Sequence, residues 1–107
     1  MWHPAGGFEV RLTTVPEPAT ARSGENRFRV QVTREGYPVT DADVSLHLTM
    51  PLMSKMGSAE AHARLVPQNG AYEGTARLHH AGDWQARVTV KLGGTKGYTT
   101  YDFPASG

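Results

Sequence analysis

Hydrophobic and polar residues alternate with a period of two through much of the chain, and no stretch has the spacing of an amphipathic helix. The alternation is clear at 8–12, 28–32, 44–48, 72–78 and 84–90, and two more segments, 62–66 and 98–103, also suit strands. Because successive side chains of a strand point to opposite faces, each run predicts a strand with one buried face.

Turn sequences rich in glycine, proline and asparagine separate these runs, as at 23–26, 35–38, 68–70, 81–83 and 93–94. About seven short strands separated by such turns are typical of an antiparallel β-sandwich of immunoglobulin-like type. We therefore predict an all-β fold with a single domain over residues 1–107 and an ordered core at about 8–103. A Greek-key or up-and-down barrel is the competing architecture.

Three local features support the sandwich. Tyr72 follows Asn69-Gly70 in the setting of a tyrosine corner, in which the hydroxyl bonds to a nearby turn. The segment 34–42 is typical of a hairpin connection. Trp84 opens a strand of alternating apolar residues, so we expect it in the core, where a large aromatic ring seals the two sheets.

Composition narrows the function classes. Lysine plus arginine number 11 against 10 aspartate plus glutamate, and no basic stripe is interleaved with aromatics, so nucleic acid is a poor candidate. No apolar run approaches ~18 residues, so no segment is expected to span a membrane. The absence of cysteine excludes disulfides, thiolate metal sites and cysteine nucleophiles. No phosphate loop, nucleophile elbow or paired carboxylates are evident, so we expect no enzyme.

The chemically informative segment contains three methionines. Met50, Met53 and Met56 are spaced three apart in a polar, glycine-flanked stretch. Thioether sulfur is a soft ligand that suits Cu(I), so these residues are candidate copper ligands. The alternative interpretation is a flexible apolar plug at the end of the β-domain, since methionine fills irregular gaps.

Strand direction predicts which histidines accompany the methionines. If consecutive strands alternate in direction, the candidate metal ligands all lie at one end of the domain; these are Met50, Met53, Met56, His62, His79 and His80. Adjacent residues of a strand face opposite ways, so His79 and His80 cannot easily bind one ion together. The alternation of side chains favours His80 as the ligand, because His80 falls on the same inward-facing positions as Tyr72 and Leu78. His47 falls on the opposite positions and should face solvent.

The first residues raise a separate possibility. A free amine, two backbone amides and the third-position His3 form a square-planar chelate that Cu(II) and Ni(II) favour. The start Met1-Trp2-His3-Pro4 is also compatible with a removed signal sequence or an N-terminal anchor.

The stretch 44–90 resembles the YtkA-like/FixH-like family of small extracytoplasmic domains. The matching elements are Met50-Pro51-Leu52-Met53 with Met56-Gly57, then Gly70-Ala71-Tyr72-Glu73-Gly74, Leu78, Ala81-Gly82-Asp83-Trp84, Val88 and Val90. The resemblance implies an immunoglobulin-like sandwich facing the periplasm or the exterior, often beside a membrane anchor. It also implies association with copper handling or respiratory oxidase assembly. The chain departs from a simple match at Lys55, which interrupts the methionine segment, and at the pair His79-His80.

Two functions follow as expectations. The first is an extracytoplasmic domain that binds or delivers copper, with Cu(I) favoured, through the three methionines supported by His80 or His62. The second is a metal-free interaction module whose methionine segment forms an adaptable apolar surface for a membrane-associated protein partner.

Overall fold

The computed structural model describes residues 2–15, 19–20, 25–50, 60–78 and 80–106, and all regular structure within them is β. Its strands are β1 (His3–Ala5), β2 (Phe8–Val15), β3 (Ala19–Thr20), β4 (Glu25–Arg34), β5 (Tyr37–Pro38), β6 (Asp43–Thr49), β7 (Glu60–Gln68), β8 (Ala71–Arg77), β9 (Gly82–Leu92) and β10 (Thr95–Ser106). Among these residues no helix is long and apolar enough to cross a membrane.

The seven strands predicted from the sequence are all present as β2, β4, β6, β7, β8, β9 and β10. The remaining strands, β1, β3 and β5, are two or three residues long, too short to carry a periodic pattern. Strand β1 turns directly into β2 through Gly6 and Gly7, whose φ angles of 56° and 94° suit glycine. Strand β5 completes the expected hairpin with β4.

Two sheets form the domain, and β7 belongs to both. Its first part, 60–65, pairs with β6, and its last part, 66–68, pairs with β8. The strand order is β1-β2-β4-β8-β7-β6-β9-β10-β3, with β5 beside β4. The predicted sandwich is thus confirmed, curled through β7 into one continuous path. Pairing is antiparallel among the described strands except where β3 lies parallel to the end of β10.

The core lies between the inner faces of the two sheets. Its largest fully buried side chains come from both sheets: Phe8, Val10, Phe28, Val30, Val44, Leu46, Leu48, Tyr72, Leu78, Trp84, Val88 and Val90. Trp84, predicted to be core, is 1% exposed. The inward-facing positions inferred for the five alternating runs are therefore correct, and they determine which side chains of those strands face outward.

The Tyr72 hydroxyl forms the tyrosine corner, with partners far along the chain. It donates to the Val39 carbonyl oxygen at 2.8 Å and accepts from the Ala42 amide at 3.0 Å, 33 and 30 residues earlier in sequence. The hydroxyl was expected to bond to a turn nearby in sequence, but it bonds instead to the connection between β5 and β6. Burial is the main cause that raises the pKa of Tyr72 above its ordinary value of 10.0; the Ala42 hydrogen bond opposes this shift.

The edges β1 and β10 approach each other so closely that only glycine fits at position 97. A Cβ on Gly97 would collide with the Ala5 carbonyl and lie 2.9 Å from Gly6 Cα. Both neighbours are backbone, so neither can move aside cheaply. The contact brings the two outer ends of the curled sheet together.

Replacing Gly97 with alanine is expected to reduce the free energy of unfolding by about 1–3 kcal/mol, the usual cost of overpacking. Gly94→Ala is the matched control, because nothing lies within 4 Å of a Cβ added there. Urea unfolding of both variants measures the difference. Equal stability of the two variants would contradict the close approach of β1 and β10.

Candidate functional site

Met50 lies directly after β6, and its side chain is part of the core. It is 6% exposed, as its strand parity predicts. Its Cε atom would lie 2.8 Å from a Cβ added to Gly82, the first residue of β9. The φ of 134° at Gly82 also favours glycine. The Met50 thioether is therefore seated against the start of β9 at one end of the sandwich.

His80 lies two residues before Gly82, at the same end of the sandwich as Met50. It is half-buried, and its carbonyl oxygen accepts a hydrogen bond from Trp84 Nε1 at 2.9 Å. The buried indole thus holds the segment that leads into β9. Of the two described histidines predicted as ligands, His80 belongs to the segment that leads to Gly82, against which Met50 packs.

His62 has a different neighbour from the one predicted. It lies directly opposite His47 in the β6–β7 pair, and the two imidazole rings stack with centroids 4.4 Å apart and planes 6° from parallel. Both project from the outer face, because Leu46 and Leu48 occupy the inner one. The structure therefore brings His62 to His47, while Met50 turns inward.

His47 is not among the ligands predicted from the sequence. Its outward direction follows from parity, as predicted, but it is half-buried beside His62 rather than an isolated surface group. The available signal was the hairpin register: if Thr49 faces Glu60 across the methionine segment, His47 must face His62. Residue spacing alone does not specify that register.

Met53, Met56 and His79 lie outside the described residues, so their predicted roles as ligands stay predictions. Within the described ranges, no group of three or more histidine, cysteine, aspartate or glutamate residues could hold a metal ion. The described donors suited to a soft ion at the end of the sandwich are the Met50 thioether and the His80 imidazole.

His3, the residue of the possible N-terminal chelate, is engaged with β10. Its Nδ1 atom lies 3.0 Å from the Thr100 carbonyl oxygen, and its ring stacks on Tyr101 with centroids 3.8 Å apart. The Tyr101 hydroxyl donates to the Val10 carbonyl, and burial raises the Tyr101 pKa above its ordinary value of 10.0. Chelation through Nδ1 would have to break the His3 contact with Thr100.

Comparison with known proteins supports the fold and identifies the family. A DUF4426 family protein from Pseudomonas aeruginosa PAO1 has a crystal structure that matches with a TM-score of 0.70 at 13% sequence identity, covering 99% of this chain and 96% of that one. At that identity the likeness shows the fold alone. No curated protein matches the chain. The family model described as YtkA-like matches residues 3–89, which confirms the resemblance inferred from the sequence. The chain belongs to the YtkA-like family.

Proposed function

We propose that this domain binds Cu(I) at the Met50 end of the sandwich and delivers it to a membrane-associated protein outside the cytoplasm. The observation that carries the proposal is the packing of the Met50 side chain against Gly82, because its thioether is then close to the segment that contains His80. Met53 and Met56 follow Met50 within six residues of sequence, which makes them candidate ligands for the same ion.

The donor set fits a soft monovalent ion better than a hard divalent one. Thioether and neutral imidazole are ligands that Cu(I) accepts without a strict geometry. Met50 would supply a sulfur atom from the core side, and Met53 and Met56 would supply sulfur atoms from the segment that follows. His80 is better placed than His62 to support them, because the His62 ring stacks on His47 at the outer face. Delivery would proceed by stepwise exchange of these ligands for those of the partner.

The double variant Met53→Leu/Met56→Leu is expected to weaken Cu(I) binding by about tenfold or more, because leucine keeps the apolar volume and removes the sulfur. The measurement is an anaerobic Cu(I) titration against a competing chromophoric chelator. The N-terminal amine is blocked in all samples so that the chelate of His3 does not contribute. His62→Asn and His80→Asn form a matched pair, of which His80→Asn should have the larger effect.

Stoichiometric Cu(I) binding that collapses in the methionine variant would establish the site. Equal chelator competition by the wild-type protein and the methionine variant would reject it. A larger loss in His62→Asn than in His80→Asn would move the supporting ligand to the outer face.

The second candidate is a metal-free interaction module, and the burial of Met50 favours it. A methionine that is 6% exposed within the core already has a packing role, as the apolar-plug interpretation requires. Under this function, the Met53→Leu/Met56→Leu variant would keep most of its affinity for a membrane-associated partner, because the apolar surface is retained.

A further inference from the structure

The outer face of β7, β6, β9 and β10 gathers positive charge that is scattered in the sequence. The registers place Arg64 opposite Ser45, Ser45 opposite Thr89, and Lys91 opposite Lys96. All five residues have outward parity, since Leu46, Val88 and Val90 fill the inner face. Sheet pairing therefore assembles a basic surface that the near-neutral composition does not reveal.

A groove of about 440 Å³ lies at the centre of this surface. It is lined by residues 43–47 of β6, 62–64 of β7, 89 and 91 of β9, and 96 of β10. Three cationic side chains line it, those of Arg64, Lys91 and Lys96, against one carboxylate, that of Asp43. Ser45 and Thr89 add hydroxyl groups, and the stacked His47 and His62 rings border it.

The charges of the groove are poorly balanced by the described part of the chain. Asp43 lies opposite Lys91 in the β6–β9 pair, but it forms its ion pair with Arg64, whose Nη2 lies 3.8 Å from Asp43 Oδ1. The side chains of Asp43 and Arg64 are both largely exposed. Lys91 and Lys96 face each other directly across the β9–β10 hairpin, and like charges in that position destabilise a sheet. No described carboxylate forms an ion pair with either lysine.

Next to the groove, Arg87 adds a fourth positive charge. It lies opposite His47, and its guanidinium carbon is 4.7 Å from the centroid of the Tyr98 ring, which is 58% exposed. The surface as a whole therefore repels cations and attracts anions.

We propose that this groove is a binding site for an oxyanion of the phosphate type, carried by a soluble phosphate monoester or by a lipid headgroup. Arg64 offers a planar fork of donors, and the Lys91 and Lys96 ammonium groups offer point charges suited to phosphate oxygens. Ser45 and Thr89 hydroxyls complete the donor set. A bound anion would also offset the repulsion between the two lysines. The groove is on the outer face of the sheet, whereas Met50 is on the inner side, so this site is separate from the proposed copper site.

The test uses the whole protein, with inorganic phosphate, glycerol phosphate and phosphatidylglycerol vesicles as probes, at ionic strength matched with chloride. Binding is followed by amide chemical shifts of Ser45, Thr89 and Lys91 and by vesicle co-sedimentation. The variant Lys91→Gln/Lys96→Gln should weaken phosphate binding about tenfold. Arg11→Gln/Arg77→Gln is the control, since it removes the same net charge from exposed positions of the other sheet.

Saturable binding of free phosphate or glycerol phosphate that fails only in the lysine variant, without vesicle binding by the wild-type protein, would support a soluble source. Loss of both free-phosphate and vesicle binding in that variant would support a lipid headgroup. No saturable binding, or an equal loss in the arginine control, would overturn the site.

Unfolding in the absence of phosphate provides a second readout: Lys96→Gln should raise the thermal midpoint, because it removes the repulsion across the hairpin. A lowered midpoint would contradict the like-charge argument.

Discussion

Replacing Trp84 with alanine should lower the free energy of unfolding by about 3–5 kcal/mol, the largest effect expected from any single substitution considered for this domain. Trp84 is the third residue of β9, and its side chain is 1% exposed within the core. Its removal leaves a cavity that the two sheets cannot fill by local rearrangement. The His80 carbonyl also loses the hydrogen bond from Nε1, so the segment next to Met50 is released.

Trp2 provides the matched control, because it is 39% exposed. Trp2→Ala should change the free energy of unfolding by at most about 0.5 kcal/mol. If Trp84→Ala does not fold, Trp84→Phe separates packing from hydrogen bonding. It keeps an aromatic ring in the core and loses the bond to His80, at a cost of about 1–2 kcal/mol. Urea unfolding measures all three variants, and equal effects of the Trp2 and Trp84 substitutions would contradict the sealed core.

Tyr72→Phe should lower the free energy of unfolding by about 2–3 kcal/mol, because it leaves two buried backbone groups without a hydrogen-bond partner. The Ala42 amide and the Val39 carbonyl both lose their hydroxyl partner in a part of the molecule that water reaches poorly. Phenylalanine leaves no large cavity, so the loss reports the hydrogen bonds. Tyr37→Phe, at a residue that is 76% exposed, is the control and should be nearly neutral. Similar denaturation midpoints for the two variants would contradict the corner.

Tyr72→Phe should also change how the free energy of unfolding depends on pH under alkaline conditions. Burial raises the folded-state pKa of Tyr72 above 10.0, its ordinary value. Below pH 10.0 both states keep the proton and the contribution to stability is complete. As pH rises above that value the unfolded state ionises first, so the contribution is progressively lost up to the folded-state pKa. Tyr72→Phe should therefore lose stability less steeply above pH 10.0 than the wild-type protein.

Strand identity and side-chain direction were largely predictable because both depend on a local period. Alternation over five or more residues identified five strands, two further segments suited strands, and the alternation placed Met50 and Trp84 inside. The same argument is weaker for His80, since β8 ends at Arg77 and alternation need not continue through the connection. The structure leaves His80 half-buried at the end of the core.

Side-chain neighbours across the sheets were not predictable in the same way. The stacking of His47 on His62 depends on the register of β6 and β7, and the basic groove depends on three registers at once. The partner of the Tyr72 hydroxyl depends on where the β5–β6 connection crosses the core. Each pairing is set by contacts between residues far apart in sequence.

The all-β class, the seven long strands, the buried faces of five of them and the family resemblance follow from the sequence alone, because alternation and turn residues act over a few neighbouring positions. The order of the strands, the place of β7 in both sheets and the contacts between outward side chains depend on how the whole chain packs. Packing of the whole core selects those registers, since a slip of one residue would turn every apolar side chain of a strand toward solvent.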